Sequence, residues 1–297
     1  MKEFIRFPDK EIGPVLGGPA AYSSVAASVL GLRTGLVTVI GQDASHYIIE
    51  PLIDAGVDTL GLRIGECDTR TNILTYDADG GKTAHYDTVA SPIQPDDIPA
   101  DYLLARAFFV CPMDFEVQFD TVARLKQTGS LLMTDLGGYG GAVSTNHPAH
   151  EGPDSRRRLQ QLVSKFDIVK ASTEDTQCLF PGDLGPDESA RLFVEWGAKV
   201  AMITMGERGS LLWDGDVRHV VPAFPAEVMD VTGAGDVYCG AFLVDFLRGG
   251  QLFEAAVYGA AAASLVVEKS GGTSVARMPV DRQVRERLRL HSGKMST

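Results

Sequence analysis

In the stretch EVMDVTGAGDVYCGAFLVDFLRGG, residues 227–250, three small residues stand directly before an acid. Gly233, Ala234 and Gly235 carry almost no side chain, and Asp236 opens a run of helical periodicity through Val237, Ala241, Phe242, Val244 and Leu247. Amides in the first turn of a helix lack intrahelical partners and lie at the positive end of its dipole. Stripped of bulk, those of 233–236 make a hole for an anion. A phosphoryl group fits such a hole. A carboxylate beside it is repelled by the phosphate unless it faces the other reactant, where it accepts the proton of an attacking hydroxyl. On this reading Asp236 is the base and Gly233, Ala234 and Gly235 form the anion hole. A plainer reading makes Thr232 an N-cap, the glycines a tight loop and Asp236 a complement to the helix dipole.

Other phosphate signatures fail. GGKT at 80–83 has the tail of a P-loop, but Tyr76 stands where its first glycine belongs, and Lys82 reads as a solvated hairpin charge. A dinucleotide fingerprint starting at Gly233 would need glycine at Tyr238, and no GxSxG elbow is present. The cysteines, Cys67, Cys111, Cys178 and Cys239, are scattered without CxxC pairing and read as reduced thiols. His46, His85, His147, His150, His219 and His291 share no ligand spacing.

These groups must be positioned by a chain of 297 residues whose 44% hydrophobic and 22% charged content is that of a globular protein. A net charge of −12 argues against nucleic acid or an anionic membrane as partner. The longest weakly polar run, 254–268, is too short and Ala-rich to span a bilayer, and the start shows no signal-peptide core, so a cytoplasmic location is expected. Strand and helix alternate: helix 19–31, strand 35–41, helix 44–55, strand 107–111, helix 115–128, strand 130–135, helix 155–164, strand 166–170, helix 186–196, strand 198–206. The pattern predicts an α/β protein with a mostly parallel sheet covered on both faces. Between about 60 and 90 the alternation changes to that of a half-exposed hairpin around Asp79-Gly80-Gly81. A second hairpin turns at Asp214-Gly215, and long helices follow at 235–248 and 252–268. A Gly/Pro-rich loop at 137–153 follows a strand end, where such folds place binding residues. The terminal stretch 282–290 reads as a basic amphipathic helix with a solvated face. No linker divides the chain, so one domain over 1–297 is expected.

DVTGAGD, residues 230–236, resembles the C-terminal signature D-T-x-GAGD of the ribokinase family of PfkB-type carbohydrate kinases, with Val231 standing before the Thr. LGGPAAYSSVAASVLGLRTGLVTVIGQD (16–43) is similar to that family's GG motif, helix, strand and GxD. ITMGERGSLLW (203–213) is similar to its TxGxxG nucleotide segment, and VEKSGGTSVARMP to its adenine-side loop. The resemblance implies a ribokinase-like three-layer sandwich with a small β-sheet lid near 60–90, and ATP-dependent phosphorylation of an alcohol. It implies Thr204, Gly206, Gly209, Thr232 and Gly272 along the nucleotide, and Gly17, Gly18, Tyr22 and Asp43 at the acceptor. Mg2+ is implied with the ATP, and K+ near the loop of Asp230 and Thr232.

Three departures stand out. The family opens with a strand ending in an acceptor-binding Asp, and no residue before Gly17 reads as that strand, which points to a lost strand, a late start, or residues such as Asp9 serving differently. Tyr22 replaces the Asn of the GG motif. The NxxE that organises magnesium is Ser172-Thr-Glu-Asp175, which keeps oxygen donors at shorter reach. Ser172, Asp175 and Asp230 are the metal candidates, and Asp135 is a candidate for acceptor hydroxyls. GGPAAYSS and KASTED resemble the inositol kinase branch, so a sugar or polyol such as myo-inositol is the expected acceptor. A nucleoside kinase of the same fold, its base stacked on Tyr22, Tyr76 or Tyr86, is one alternative. A catalytically silent sugar-binding or regulatory protein is another. An exposed lid face implies a homodimer paired through the lids.

Overall fold

Residues near the N-terminus form two strands that alternation did not reveal, because their inward and outward positions mix polar and apolar types. The computed structural model describes residues 1–43, 46–77, 82–86, 91–144, 154–182 and 184–291. The expected turn at Asp79-Gly80-Gly81, the side chains of Lys82 and Tyr86, and His147 and His150 lie outside them. Strand β1 (Lys2–Arg6) pairs antiparallel with β2 (Glu11–Leu16). Its inward positions are Glu3 and Ile5, and Phe4 lies on the more open face. A carboxylate pointing inward and a phenyl ring pointing outward are what hid the strand from the sequence pattern.

Helix α1 (Pro19–Val29), strand β3 (Gly35–Ile40), helix α2 (His46–Asp54) and strand β4 (Asp58–Ile64) follow. β4 pairs parallel with β3, which corrects the placing of residues 59–65 in the exposed hairpin. The hairpin itself is β5 (Thr71–Tyr76) with β6 (Lys82–Tyr86), and β5 also pairs parallel with β1. The result is a four-stranded sheet in the order β2-β1-β5-β6. Register sets Glu3 opposite Asn72 and Ile5 opposite Leu74, so the buried face carries Glu3, Ile5, Asn72, Leu74 and Tyr76.

Two compact units are distinguished, Met1–Ser91 with Phe224–Thr297, and Pro92–Ala223. The second holds β7 (Ala107–Val110), α3 (Phe119–Lys126), β8 (Leu131–Asp135), α4 (Ser155–Val163), β9 (Ile168–Ser172), α5 (Thr173–Leu179), α6 (Pro186–Glu195), β10 (Val200–Thr204), β11 (Ser210–Trp213) and β12 (Arg218–Val221). Its six strands run in the order β12-β11-β10-β9-β8-β7, parallel from β7 to β10 and antiparallel at the β10–β11–β12 end. Met133, Val169, Ala201 and Met202 are completely buried, as expected of a parallel sheet covered on both faces. α3 starts later than the predicted residue 115. The Glu116 carboxylate accepts the amides of Met113 and Asp114 at 2.8 and 2.7 Å, which holds those residues in a competing turn.

In the first unit, α7 (Ala234–Leu247) and α8 (Leu252–Val266) are apolar nearly all round and buried, while α9 (Asp281–His291) buries only Val284. Two arginines of α9 are paired: Arg285 meets Asp281 at 2.8 Å and Arg287 meets Glu268 at 2.8 Å. α7 packs closely on α1 and α8 through small residues. A Cβ on Gly240 would stand 2.6 Å from the carbonyl oxygen of Ser23, and one on Gly259 would stand 2.8 Å from that of Tyr238. Gly240→Ala is therefore expected to destabilise the protein by about 1–3 kcal/mol through overpacking, read as a lowered denaturation midpoint with an unchanged denaturant slope.

Candidate active site

The start of α7 is built around a glycine that nothing larger can replace. Gly233 is the N-cap residue, in the left-handed region at φ 77°, and a Cβ there would lie 2.5 Å from the Tyr22 ring. No side chain caps the helix. The Thr232 hydroxyl does not serve α7: it pairs with the Tyr76 hydroxyl at 2.8 Å, which removes the plain N-cap reading. Asp236 lies half-buried in the first turn. The Ala234 amide, one of the groups the sequence assigned to an anion hole, donates instead to the Val231 carbonyl at 3.2 Å.

A buried polar network holds this loop from beneath. Asp230 is 2% exposed, and its carboxylate accepts the amides of Thr232 at 2.9 Å and Gly271 at 3.1 Å. The Arg277 guanidinium lies 3.4 Å from the same carboxylate and donates to the carbonyls of Asp230 at 3.2 Å and Thr232 at 2.8 Å. Tyr22, 1% exposed, donates its hydroxyl to Glu3 at 3.0 Å and accepts from Arg277 at 3.2 Å. Asn72 donates to the other Glu3 oxygen at 3.2 Å. Burial pushes the Glu3 carboxyl and the Tyr22 phenol up, and takes the Tyr76 phenol up to about 12.

This geometry corrects the placement of Tyr22 at the acceptor. Its ring is the floor under Gly233, with no surface to offer a substrate. Tyr76 stacks on Phe7 at 5.2 Å and is itself buried, so neither ring forms an open platform for a base. Gly17 and Gly18 lie beside the same network. A Cβ on Gly17 would run into the Glu3 side chain, and Gly18 at φ 95° caps α1. The Gly271–Gly272 turn docks on β2, where a Cβ on Gly272 would stand 2.5 Å from Val15 Cβ and the Thr273 amide donates to Leu16 O at 2.7 Å. Glu3 and Arg277, absent from the sequence reading, are the two charged residues that complete the network. Their only signal was charge in otherwise buried segments.

Asp43 is exposed and joins three segments: it pairs with the Lys2 ammonium and accepts the Thr69 amide at 2.6 Å. What burial it has works to raise the Asp43 carboxyl, but the Lys2 ammonium and the Thr69 donors outweigh it and leave it at about 2. A carboxyl depressed in the folded state stabilises above its unfolded value of 3.8, and that contribution is lost as pH falls toward about 2. Asp43→Asn is expected to flatten the stability profile across this window, as read by thermal denaturation at stepped pH, and to leave the profile near neutrality parallel to that of the wild type.

In the second unit the remaining candidates gather at the C-terminal ends of adjacent strands, where open α/β sheets bind ligands. Thr204 pairs in register with Ser172. Gly206 and Gly209, at φ 58° and 87°, make the tight turn from β10 to β11, closed by the Met205 amide on Gly209 O at 2.8 Å. Ser172 and Asp175 form a capping box on α5: the Asp175 amide donates to the Ser172 hydroxyl at 3.0 Å and the Ser172 amide to Asp175 at 2.6 Å. The other Asp175 oxygen accepts the Ala142 amide at 3.0 Å. Asp135 faces the Lys170 ammonium at 2.7 Å and accepts the Gly137 amide at 3.0 Å, a buried commitment rather than an open contact for acceptor hydroxyls. Burial raises its carboxyl despite Lys170. Of the metal candidates, Ser172 and Asp175 are engaged in the capping box of α5, and each oxygen of Asp175 and of Asp230 accepts a backbone amide. Among the described residues no group of three or more His, Cys, Asp or Glu side chains is placed to hold a metal, and no helix is long and apolar enough to cross a membrane.

The model of the pfkB family carbohydrate kinases matches residues 9–278. The chain belongs to this family. The pfkB chain is 31% identical over 274 residues to a cytidine kinase of Thermococcus kodakarensis, covering 91% of this chain and 94% of that protein. It is 30% identical over 262 residues to a nucleoside kinase of Methanothermobacter thermautotrophicus, covering 86% and 79%. Its fold matches that of a fructokinase from Xylella fastidiosa with bound ATP at a TM-score of 0.82 and 20% identity, over 98% and 96% of the two chains. The ribokinase-like α/β fold and the kinase family are thus as the motifs implied, and family membership brings an ATP-dependent kinase with it.

Proposed function

We propose that this kinase transfers the γ-phosphoryl group of ATP to a hydroxyl of a ribonucleoside. The observation that supports the transfer step is the uncapped, side-chain-free start of α7 with Asp236 in its first turn. In the proposed step Asp236 accepts the proton of the acceptor hydroxyl, whose oxygen bonds to the γ-phosphorus as the bond to the ADP oxygen breaks. The first-turn amides of α7 and the helix dipole stabilise the charge on the equatorial oxygens. Thr204, Gly206 and Gly209, at the β10–β11 turn, are proposed to contact the nucleotide. Magnesium is proposed to come with the phosphates of ATP and to keep several of its waters, as this ion commonly does.

A nucleoside acceptor is favoured by two relatives at 30% identity or more, a cytidine kinase and a nucleoside kinase. It displaces the expected polyol, since the inositol lean rested on the GGPAAYSS and KASTED variants. Tyr22 and Asp175 within them are used for packing under Gly233 and for capping α5. A sugar acceptor is the second reading, favoured by the family's description as carbohydrate kinases. ATP consumption with magnesium, measured against cytidine, uridine, adenosine, ribose, fructose and myo-inositol, is expected to give the highest kcat/KM with a nucleoside. A preference for ribose, fructose or myo-inositol would replace the nucleoside reading with the sugar or polyol one. Removal of the base is expected to act on chemistry alone. Asp236→Asn should lower kcat by about 10²–10⁴-fold with nucleotide affinity kept, while retained turnover would remove Asp236 from its role.

A further inference from the structure

Four backbone carbonyls and one carboxylate converge beneath the Gly233 loop, and a side chain fills the space between them. The guanidinium of Arg277 directs its Nε–H to Lys269 O at 3.2 Å, one Nη1–H to Gly271 O and the other to the Tyr22 hydroxyl at 3.2 Å. Its Nη2–H groups go to the carbonyls of Asp230 at 3.2 Å and Thr232 at 2.8 Å. All five of its N–H donors are thereby matched. The Asp230 carboxylate, at 3.4 Å, balances the charge, and the two side chains are 3% and 0% exposed. Convergent carbonyl oxygens beside a buried carboxylate are the donor set of a cation site, and K+ was expected near Asp230 and Thr232. A free cation does not fit there. The oxygens it would use are already taken, and a second positive charge beside the guanidinium would be repelled without solvent to screen it.

We infer that Arg277 is a built-in cation that takes the place of a monovalent metal ion and positions the anion hole through the carbonyls of Asp230 and Thr232. Thr232 directly precedes Gly233, so fixing its carbonyl fixes the entry of the chain into the left-handed turn and the aim of the first-turn amides. Arg277 acts through the loop backbone and is a positioning residue. A planar fork with five donors suits scattered carbonyls better than an ammonium point charge, which accounts for Arg at this position.

The inference rests on the phosphoryl-transfer reading only for its effect on rate, so its first test needs no substrate. Thermal denaturation of the wild-type protein is compared in potassium chloride and in tetramethylammonium chloride at equal ionic strength. The midpoints are expected to coincide, and a rise specific to potassium would overturn the inference. Arg277→Ala, which leaves the oxygens unneutralised, is expected to lower the midpoint by roughly 10 °C. Millimolar guanidinium or potassium should restore it where tetramethylammonium does not. A loss that neither cation repairs would mean that Arg277 serves only packing, and would equally overturn the inference. Should Arg277→Ala fail to fold, the wild-type comparison decides alone. With an acceptor in hand, wild-type turnover is expected to be equal in the two salts, and Arg277→Ala turnover to fall about a hundredfold and recover with the same cations. Absence of any turnover would count against the kinase reading and leave the thermal result standing.

Discussion

The contact between Asp230 and Arg277, and the hydrogen bonds each extends into the backbone, is the constraint on which the rest of the site depends. A helix start with no capping side chain is an unstable place for a chain to pause, because glycine costs the most entropy to order and no side chain accepts from the first-turn amides. Here the ordering energy comes from below. Asp230 closes the loop on itself through the Thr232 amide and ties it to the Gly271 turn, while Arg277 grips the carbonyls on both sides. Buried charges of this kind are costly unless every donor and acceptor is matched, and around Arg277 each donor is.

Tyr22 transmits that order to the glycine itself. Its ring lies where a Gly233 side chain would be, and its hydroxyl joins Glu3 to Arg277, so the N-terminal strand, α1 and the loop before α7 share one hydrogen-bonded chain. Tyr76 reaches the same loop from β5 through Thr232. The four-stranded sheet that carries Glu3, Asn72 and Tyr76 is therefore part of the support of the loop before α7, and Tyr22 and Tyr76, which the sequence suggested for a substrate platform, are spent on it.

The acidic side chains illustrate how a single residue type divides by environment. Asp43, exposed between Lys2 and Thr69, is held low and locks three segments. Asp135 and Glu3, buried, are driven up and depend on Lys170 and on Tyr22 with Asn72. Asp236 stands half-buried in the first turn of α7, where the helix dipole favours its negative charge.

The order of strands and helices, the small-residue start of α7 and the TxGxxG turn were legible in the sequence, because each depends on contacts within a few residues: alternation, glycine at positive φ, an acid in the first turn. The hairpin of β5 and β6 was legible for the same reason. The β3–β4 pairing was not, since a run such as TLGLRIG carries no mark of which sheet receives it. Nor were β1, the burial of Glu3, the capping role of Ser172 and Asp175, or the destination of Arg277, which lies 45 residues from Thr232 in the chain and 2.8 Å from its carbonyl in space. Local chemistry determined that a helix start without bulky side chains and an acid in its first turn stand together at 233–236. Only tertiary structure decided what holds them there, because a buried charge takes its meaning from whichever distant groups the fold brings within a hydrogen bond of it.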